Sequence, residues 1–162
     1  KGKHLIFKGL ETVRSDWTAL AKAFQQALYQ QVFDGKSVSE INLYIRGIVE
    51  KISTGVFDNQ LVYRKRLRRK LELYVKNVPP HVKAARFADQ RNAELGKSLK
   101  YQNKGWIEYV ITLAGPQAKE HANSPLDYQH YIDKQLKAVA DDILPFVDTS
   151  FEQAVDKQLS LF

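Results

Sequence analysis

The chain has 162 residues, of which 44% are hydrophobic and 27% are charged, so it can bury one substantial core or two small ones. It contains no cysteine and no apolar run long enough to cross a bilayer, which excludes disulfides and thiolate metal sites and predicts a cytoplasmic protein without membrane contact. The formal net charge of +7 is uneven, because residues 62–106 carry 13 lysines and arginines against three acidic residues. A concentrated positive surface of this kind indicates a nucleic-acid partner.

A short strand is expected at residues 4–7, followed by a helix that Ser15 or Asp16 can cap and that Gly35 ends. The predicted inward stripe of this helix consists of Trp17, Leu20, Ala21, Phe24, Ala27, Leu28 and Val32. A plain core helix is the interpretation of this segment.

The spacing from Ser37 to Glu40 is that of a capping box and predicts the start of a second helix, which ends at Gly55. Its apolar stripe consists of Ile41, Ile45, Ile48, Val49 and Ile52. We expect the two helices to pack as an antiparallel hairpin.

Residues 60–67 predict a short strand, because the segment begins with β-branched and aromatic residues. The stretch Tyr63–Lys70, here called the cationic segment, holds six cations in eight residues and lies in the middle of the chain, framed by leucines. Such framing indicates that the cations are displayed on a packed element and can bind phosphate. A solvated charged face is the alternative interpretation.

Pro79-Pro80 breaks the chain, and Pro80 suits the first turn of a helix from His81 to Leu95 that Gly96 ends. His81 would then lie at a helix N-terminus, where unbonded amides favour an anion, so it is either a phosphate contact or a capping or core histidine. A strand is predicted at residues 105–113 and is expected to end at Gly115-Pro116.

Two more helices are predicted at residues 126–143 and 149–157. The residues expected to face inward in the first of them are Tyr128, Tyr131, Ile132, Gln135, Leu136 and Val139. The predicted fold class is therefore mostly α with a small β element, an α+β fold.

No catalytic motif is found in the sequence. The four histidines show no paired helical spacing, and Asp141 and Asp142 are neighbours that diverge by about 100° on a helix. There is no phosphate-binding glycine loop and no nucleophile motif. We therefore expect no catalytic residue, no metal ligand and no cofactor in this chain.

Five sequence blocks occur in a recognisable order: KGLETVRSDW at 8–17, LVYRKRL at 61–67 followed by Tyr74, PHVKAA at 80–85, GWIEYV at 105–110, and the segment 127–136. Together they resemble the C-terminal part of family B DNA polymerases, most closely the bacterial DNA polymerase II branch. Many members carry two arginines before the aspartate of the first block, and here the second is Ser15. Arg14 and Asp16 remain, and we expect them to be structural.

The resemblance implies a domain organisation. Residues 1–15 would be the C-terminal end of the palm, residues 16–157 a helical thumb domain, and residues 158–162 a separate tail. The catalytic aspartates that bind Mg²⁺ lie upstream in the family, so the parent chain is expected to be a DNA-directed DNA polymerase, a nucleotidyltransferase, and this fragment alone to be inactive. The start at Lys1 without any methionine fits a piece of that longer chain.

The thumb of this family holds the primer-template duplex largely through its backbone and minor groove, which suits a sequence-independent function. The residues expected to bind DNA are Arg64, Lys65, Arg66, Arg68, Arg69, Lys70, Tyr74, His81, Lys83 and Arg86. Lys65 is the first choice by resemblance, and Arg68, Arg69 and Lys70 form a peripheral phosphate-binding row.

The tail QLSLF at 158–162 is similar to the pentapeptide by which bacterial proteins dock on the sliding clamp. Leu159, Leu161 and Phe162 can fill an apolar pocket and Gln158 can supply a polar anchor, although packing of these side chains on the thumb is an alternative. The expected partners are double-stranded primer-template DNA, the clamp and the rest of the polymerase chain, in bacterial DNA replication and repair at the nucleoid.

Two other functions agree with parts of the sequence. A standalone RNA-binding or ribosome-associated helical module would account for the charge equally well. A pure interaction domain whose only partner is the clamp would account for the tail. Preference for RNA over duplex DNA would favour the first, and loss of all binding on removal of the tail would favour the second.

Overall fold

The computed structural model describes residues 16–156, which fold into two compact units. The first unit comprises residues 16–61 and 128–156, and the second comprises residues 62–127. The expectations for residues 1–15 and for the tail lie outside the described residues. In residues 16–156 the fold is mostly helical with one small sheet, as predicted. No helix in this range is long and apolar enough to span a membrane.

The first helix of the first unit is α1, Ala19–Phe33. The prediction that Ser15 or Asp16 caps it is wrong, because the N-cap is Thr18, whose Oγ1 accepts a hydrogen bond from Ala21 N at 3.3 Å. Trp17 is buried, as predicted, but precedes the helix. The buried residues of α1 are Leu20, Ala21, Phe24, Gln25, Leu28 and Val32.

The second helix, α2, is Val38–Ile52 and begins with the predicted capping box. Ser37 Oγ accepts from Glu40 N at 3.1 Å and lies 3.2 Å from the Glu40 carboxylate, so both polar groups at this helix start are paired. The rings of Phe24 and Tyr44 stack between α1 and α2 with centroids 5.9 Å apart. The main packing partner of α2 is the C-terminal helix and not α1, so the predicted hairpin describes only part of its environment.

The C-terminal part of the first unit consists of short helical segments. They are α4, Tyr128–Tyr131; a π-helical turn, Ile132–Leu136; α5, Lys137–Ile143; a 3₁₀ turn, Leu144–Val147; and α6, Phe151–Val155. The predicted helix at 126–143 is thus largely confirmed, with a π-helical turn in its middle. The predicted helix at 149–157 is shorter, because Ser150 caps it and accepts from Gln153 N at 3.2 Å.

Gln135, in the π-helical turn, joins this C-terminal part to the start of α1. Its Oε1 accepts from Thr18 N at 2.9 Å and from Thr18 Oγ1 at 3.0 Å, and its Nε2 donates to Asp16 O at 3.3 Å. Thr18 and Gln135 are both buried, so a polar group of either residue left without a hydrogen-bond partner would destabilise the fold. One amide side chain therefore fixes where the chain enters α1.

The second unit contains the sheet. Its elements are β1, Tyr63–Leu67; α3, Pro80–Glu94; β2, Gly105–Thr112; and β3, Gly115–Ala118. The strands are antiparallel in the order β1-β2-β3, so the strand that begins the cationic segment lies at an edge of this sheet. Pro80 occupies the first turn of α3 as predicted, and the helix packs on one face of the sheet.

The predicted strand ends at Thr112, before Gly115-Pro116, as expected, but a third strand that the sequence analysis did not predict begins at Gly115. Gly115 has a φ of 99°, which lets the chain reverse immediately after Thr112. Thr112 Oγ1 closes this turn by accepting from Ala114 N at 3.1 Å and donating to Gly115 O at 2.8 Å. Pro116 pairs with Ile111 in a strand at the edge of the sheet, where a residue without an N–H is tolerated.

Replacing Gln135 with Leu should destabilise the first unit by about 1–3 kcal/mol, because Thr18 N–H would lose its acceptor in a buried place. Urea denaturation followed by Trp17 fluorescence, in a Trp106→Phe background, reports on this unit alone. The matched control is Gln129→Leu, because Gln129 is exposed and bonds only on the helix surface to Asp133. Equal stability of the two variants would contradict the assignment.

Candidate nucleic-acid interface

The cationic segment begins on an edge strand, and the period of the strand sends its cations to opposite faces. Arg64 and Arg66 share a face with Trp106, since Arg66 is the cross-strand partner of Trp106. Lys65 points the other way, paired with buried Ile107 on the face that α3 covers. All three cations are exposed. We call the first side the open face and the second the helix face.

On the open face, the guanidinium of Arg64 lies over the indole of Trp106. The Arg64 Cζ atom is 4.0 Å from the ring centroid, which is a cation–π contact. Trp106 nevertheless remains 52% exposed. Glu108 lies across from Arg64 and is also exposed. This end of the sheet therefore presents two guanidinium groups, one carboxylate and one indole to solvent.

On the helix face, Lys65 lies near His81, the second residue of α3. Burial lowers the pKa of His81 below its ordinary value, and the positive charge of Lys65 lowers it further. The side chain is only 6% exposed, and its Nδ1 is buried without a hydrogen-bond partner among the described residues. The lowered pKa favours the neutral form of His81, which packs beneath the cations.

Beyond β1, Tyr74 organises the remaining cations. Its hydroxyl accepts from Arg68 N at 3.3 Å, and the Arg69 Cζ atom lies 4.5 Å from its ring centroid. The ring also meets His81 edge-on with centroids 6.2 Å apart. Tyr74 is buried, so it fixes the path of the chain while Arg68 and Arg69 stay exposed.

Arg86 supports the same turn from α3. Its Nη2 donates to the carbonyl oxygens of Leu71 at 2.8 Å and of Tyr74 at 2.6 Å, which satisfies two backbone acceptors. Of the ten residues predicted to bind DNA, eight are exposed: the six cations of the segment, Lys83 and Arg86. Tyr74 and His81 are buried and shape the segment from below. DNA contact by these residues stays a prediction.

Sequence analysis did not identify Asp89 as an important residue. The buried carboxylate accepts from Lys100 N at 2.7 Å, Tyr101 N at 2.9 Å and Gln102 Nε2 at 2.8 Å, and also from Asn92 Nδ2 at 3.2 Å. Burial alone would raise its pKa, but these bonds outweigh burial and hold the pKa below its ordinary value. Asp89 thereby ties the lysine-rich loop before β2 to α3.

The sequence signal that could have identified Asp89 is its position on the buried side of a helix, because a buried carboxylate requires several hydrogen-bond donors. The loop is also held at Tyr101, whose hydroxyl donates to Glu120. Burial raises the pKa of Tyr101, and the Glu120 carboxylate raises it further, so the hydroxyl stays protonated as a donor. Lys100 Nζ lies 3.5 Å from the same carboxylate.

Within residues 16–156 no group of three histidine or acidic side chains could hold a metal ion. These residues therefore do not fit the Mg²⁺ that the resemblance implies for catalysis, and we assign no metal-dependent step to them. What the geometry offers is an exposed row of cations on an edge strand and the turn after it, braced from beneath. Phosphate groups of nucleic acid match this arrangement.

Comparison with known proteins agrees with this chemistry. The model of the family described as DNA polymerase family B matches residues 1–147. This chain belongs to DNA polymerase family B. The resemblance seen in the ordered blocks is confirmed, and membership of this family does not favour a standalone RNA-binding module.

Several relatives of this family B chain are similar over most of its length. DNA polymerase II of Escherichia coli (strain K12) is 50% identical over 160 residues, covering 99% of this chain and 20% of that protein. DNA polymerase 2 of Aeropyrum pernix is 34% identical over 146 residues, covering 85% of this chain and 17% of that protein. The chain thus spans about a fifth of the length of these relatives.

A solved structure of a family B DNA polymerase, from the hyperthermophilic archaeon Pyrobaculum calidifontis, is also similar. Its TM-score is 0.62 with 28% sequence identity, and the match covers 79% of this chain and 18% of that one. The similarity therefore extends from sequence to fold.

Replacing Asp89 with Leu should speed hydrogen exchange of the Lys100 and Tyr101 amides by roughly 5- to 150-fold, since each amide loses a bond worth about 1–3 kcal/mol with its buried acceptor. Asp89→Asn keeps one acceptor oxygen and should fall between Leu and the natural chain. Glu94→Leu is the matched control, because Glu94 is exposed and pairs only with Arg91 on the same helix.

The same amides supply a pH test. Because the folded-state pKa of Asp89 is lowered, its contribution to stability is complete above the ordinary carboxyl pKa and is lost as pH falls through the folded-state pKa. In the natural chain, the protection of Lys100 N–H and Tyr101 N–H from hydrogen exchange should decrease as pH falls through the folded-state pKa of Asp89. In Asp89→Leu this decrease should be absent. The same loss of protection at low pH in the natural chain and in Asp89→Leu would contradict the role of Asp89.

Proposed function

We propose that this chain forms the thumb of a DNA-directed DNA polymerase and holds the primer-template duplex through its phosphate backbone. The observation that carries the proposal is the exposed cationic segment on the edge strand and turn of the second unit, in a chain that belongs to DNA polymerase family B. Contacts to phosphate carry no sequence information, which suits an enzyme that must copy any template.

The distribution of charge supports the proposal. All 13 cations of residues 62–106 belong to the second unit, against three acidic residues in the same stretch. Each phosphate that such a surface neutralises releases condensed counterions, which favours binding at physiological salt. The remaining residues carry a net charge of −3, so the attraction is directed to one part of the chain.

The bracing of the cations supports it further. The Tyr74 hydroxyl accepts a hydrogen bond from Arg68 N. Arg86 fixes the backbone that follows Arg68 and Arg69 by donating to the carbonyl oxygens of Leu71 and Tyr74. A surface fixed before binding loses less conformational freedom when a rigid duplex arrives. The polymerase reaction and its Mg²⁺ requirement would be supplied by other parts of the longer protein, as the length of the relatives suggests.

A second proposal concerns the tail. We propose that residues 158–162 bind the bacterial sliding clamp, because the sequence QLSLF offers Leu159, Leu161 and Phe162 to an apolar pocket and Gln158 as a polar anchor. The two proposals are independent, since the tail carries no cation and the cationic segment is far from it in sequence.

The triple variant Lys65→Gln/Arg68→Gln/Lys70→Gln should bind a blunt duplex more weakly and with a shallower salt dependence. Removing three phosphate contacts lowers the slope of log affinity against log salt by about 3, since each contributes about 1. Fluorescence anisotropy at several salt concentrations measures both quantities. The matched control is Lys22→Gln/Lys51→Gln/Lys134→Gln, three exposed cations of the first unit.

Equal slopes for the two triple variants would contradict the proposed grip, because loss of net charge is the same in both. Competition with structured RNA of equal length provides a second check. RNA that displaces the duplex at lower concentration than DNA would return the cationic segment to the RNA-binding interpretation.

Deleting residues 158–162 should abolish binding to a bacterial sliding clamp while leaving duplex affinity within about twofold, because the proposed contacts are apolar. A scrambled tail of the same composition is the matched control for chain length, and surface plasmon resonance measures both interactions. Clamp binding that survives deletion would overturn the tail proposal. Loss of duplex binding together with clamp binding would favour the pure interaction domain.

A further inference from the structure

The open face of the sheet carries a feature that a duplex grip does not use. Trp106 is a large aromatic side chain with 52% of its surface exposed. It lies near the start of the central strand β2, with the Arg64 guanidinium over its ring and Arg66 as its cross-strand partner. Within residues 16–156, the other tryptophan, Trp17, is 5% exposed. An exposed indole in a basic environment is suited to stacking on a nucleic-acid base.

We propose that Trp106, with Arg64 and Arg66, forms a stacking site for an unpaired base of single-stranded DNA. The bases of a duplex are stacked on one another, so their faces are inaccessible except at the ends. An unpaired base offers a free aromatic face to the indole. The site shares Arg64 and Arg66 with the cationic segment but adds a base-stacking surface that the duplex grip does not use, and only the choice of DNA over RNA rests on the polymerase family.

The geometry of Arg64 prepares the indole for this role. Its guanidinium covers one side of the ring at 4.0 Å from the centroid, which holds the indole in place. A base arriving on the exposed part of the ring would extend the stack without displacing Arg64. Aromatic and guanidinium planes of this kind are the usual surfaces on which single-stranded bases stack.

The charges on the open face indicate where the phosphate backbone of the bound DNA strand would lie. Glu108 is the cross-strand partner of Arg64, so their opposite charges offset one another there. Arg66 is the cross-strand partner of Trp106 itself and lies two residues beyond Arg64, further from Glu108. The phosphate next to the stacked base is therefore expected on the Arg66 side, and Lys104, two residues before Trp106, adds positive charge to the approach.

The loop anchored by Asp89 contributes to the site indirectly. Lys100 and Tyr101 are tied to α3 by that carboxylate, which leaves only a short span before β2 begins at Gly105. Trp106 is thus presented from the first residues of a paired strand and not from a free loop. Limited freedom of the indole lowers the conformational cost of stacking.

Tryptophan fluorescence tests the proposal directly, with two probes of equal charge: oligo-dT of 12 residues and a blunt DNA hairpin closed by a non-nucleotide linker, so that the hairpin holds no unpaired base. Oligo-dT should quench the emission of Trp106, and the blunt hairpin should leave it nearly unchanged. In Trp106→Phe the remaining emission comes from buried Trp17, so no quenching is expected. Quenching that persists in Trp106→Phe would overturn the assignment.

Affinity separates stacking from charge, because Trp106→Leu changes no charge. Trp106→Leu should bind oligo-dT about 5- to 150-fold more weakly, as expected for the loss of one stacked base, with hairpin affinity within about twofold. Trp106→Phe should restore most of the lost affinity. Unchanged oligo-dT affinity in Trp106→Leu would overturn the proposal. An equal loss of affinity for both probes would also overturn it, because Trp106 would then only stabilise the cationic segment.

Two further binding measurements test the choice of DNA over RNA and separate the stacking site from the duplex grip. Oligo-U binding tighter than oligo-dT would overturn the choice of DNA. Lys65→Gln/Arg68→Gln/Lys70→Gln keeps Arg64, Arg66 and Trp106, so it should still show oligo-dT quenching even where duplex binding is lost. Failure of the duplex grip and failure of the stacking site therefore give different results. Thermal melting confirms that each variant is folded.

Discussion

Antiparallel pairing between β1 and β2 is the interaction on which the candidate surface depends. It sets Arg66 opposite Trp106 and Lys65 opposite Ile107, so neighbouring cations face opposite sides of the sheet. Without the pairing, the cations of β1 would repel one another on a flexible strand and have no fixed direction. The same pairing places buried Leu67 and Ile107 under α3, where apolar burial offsets the cost of gathering like charges.

Hydrogen bonds made by three polar side chains extend this order beyond the sheet. Tyr74 and Arg86 bind the backbone of the turn after β1, and Asp89 binds the backbone of the loop before β2. Each group satisfies donors or acceptors that would otherwise lack partners in a partly buried place. The exposed cations thus rest on a polar framework that keeps their backbone fixed. In the proposed grip, the cations would attract phosphate and these hydrogen bonds would hold the cations in position.

The two faces of the sheet suggest a division of work in the second unit. Lys65 and the turn Arg68–Lys70 would hold phosphates of a duplex, and the open face with Trp106 would receive an unpaired base. A polymerase meets both forms of DNA on one substrate, since a primer-template has a paired and an unpaired part. The split follows from the strand period of two, which no change of side chain within β1 can alter.

The sequence by itself determined the α+β class, the starts of α2 and α3, the extended cationic segment and the polymerase family, because these depend on local spacing and on ordered blocks. It mistook the cap of α1 and did not predict the third strand, since both depend on what the rest of the chain offers as a partner. Only the tertiary structure decided that Tyr74 and His81 are buried, that Asp89 anchors a loop and that Trp106 is exposed beside Arg64. Burial and cross-strand contacts depend on residues that are distant in sequence, so they cannot be predicted from a local sequence pattern.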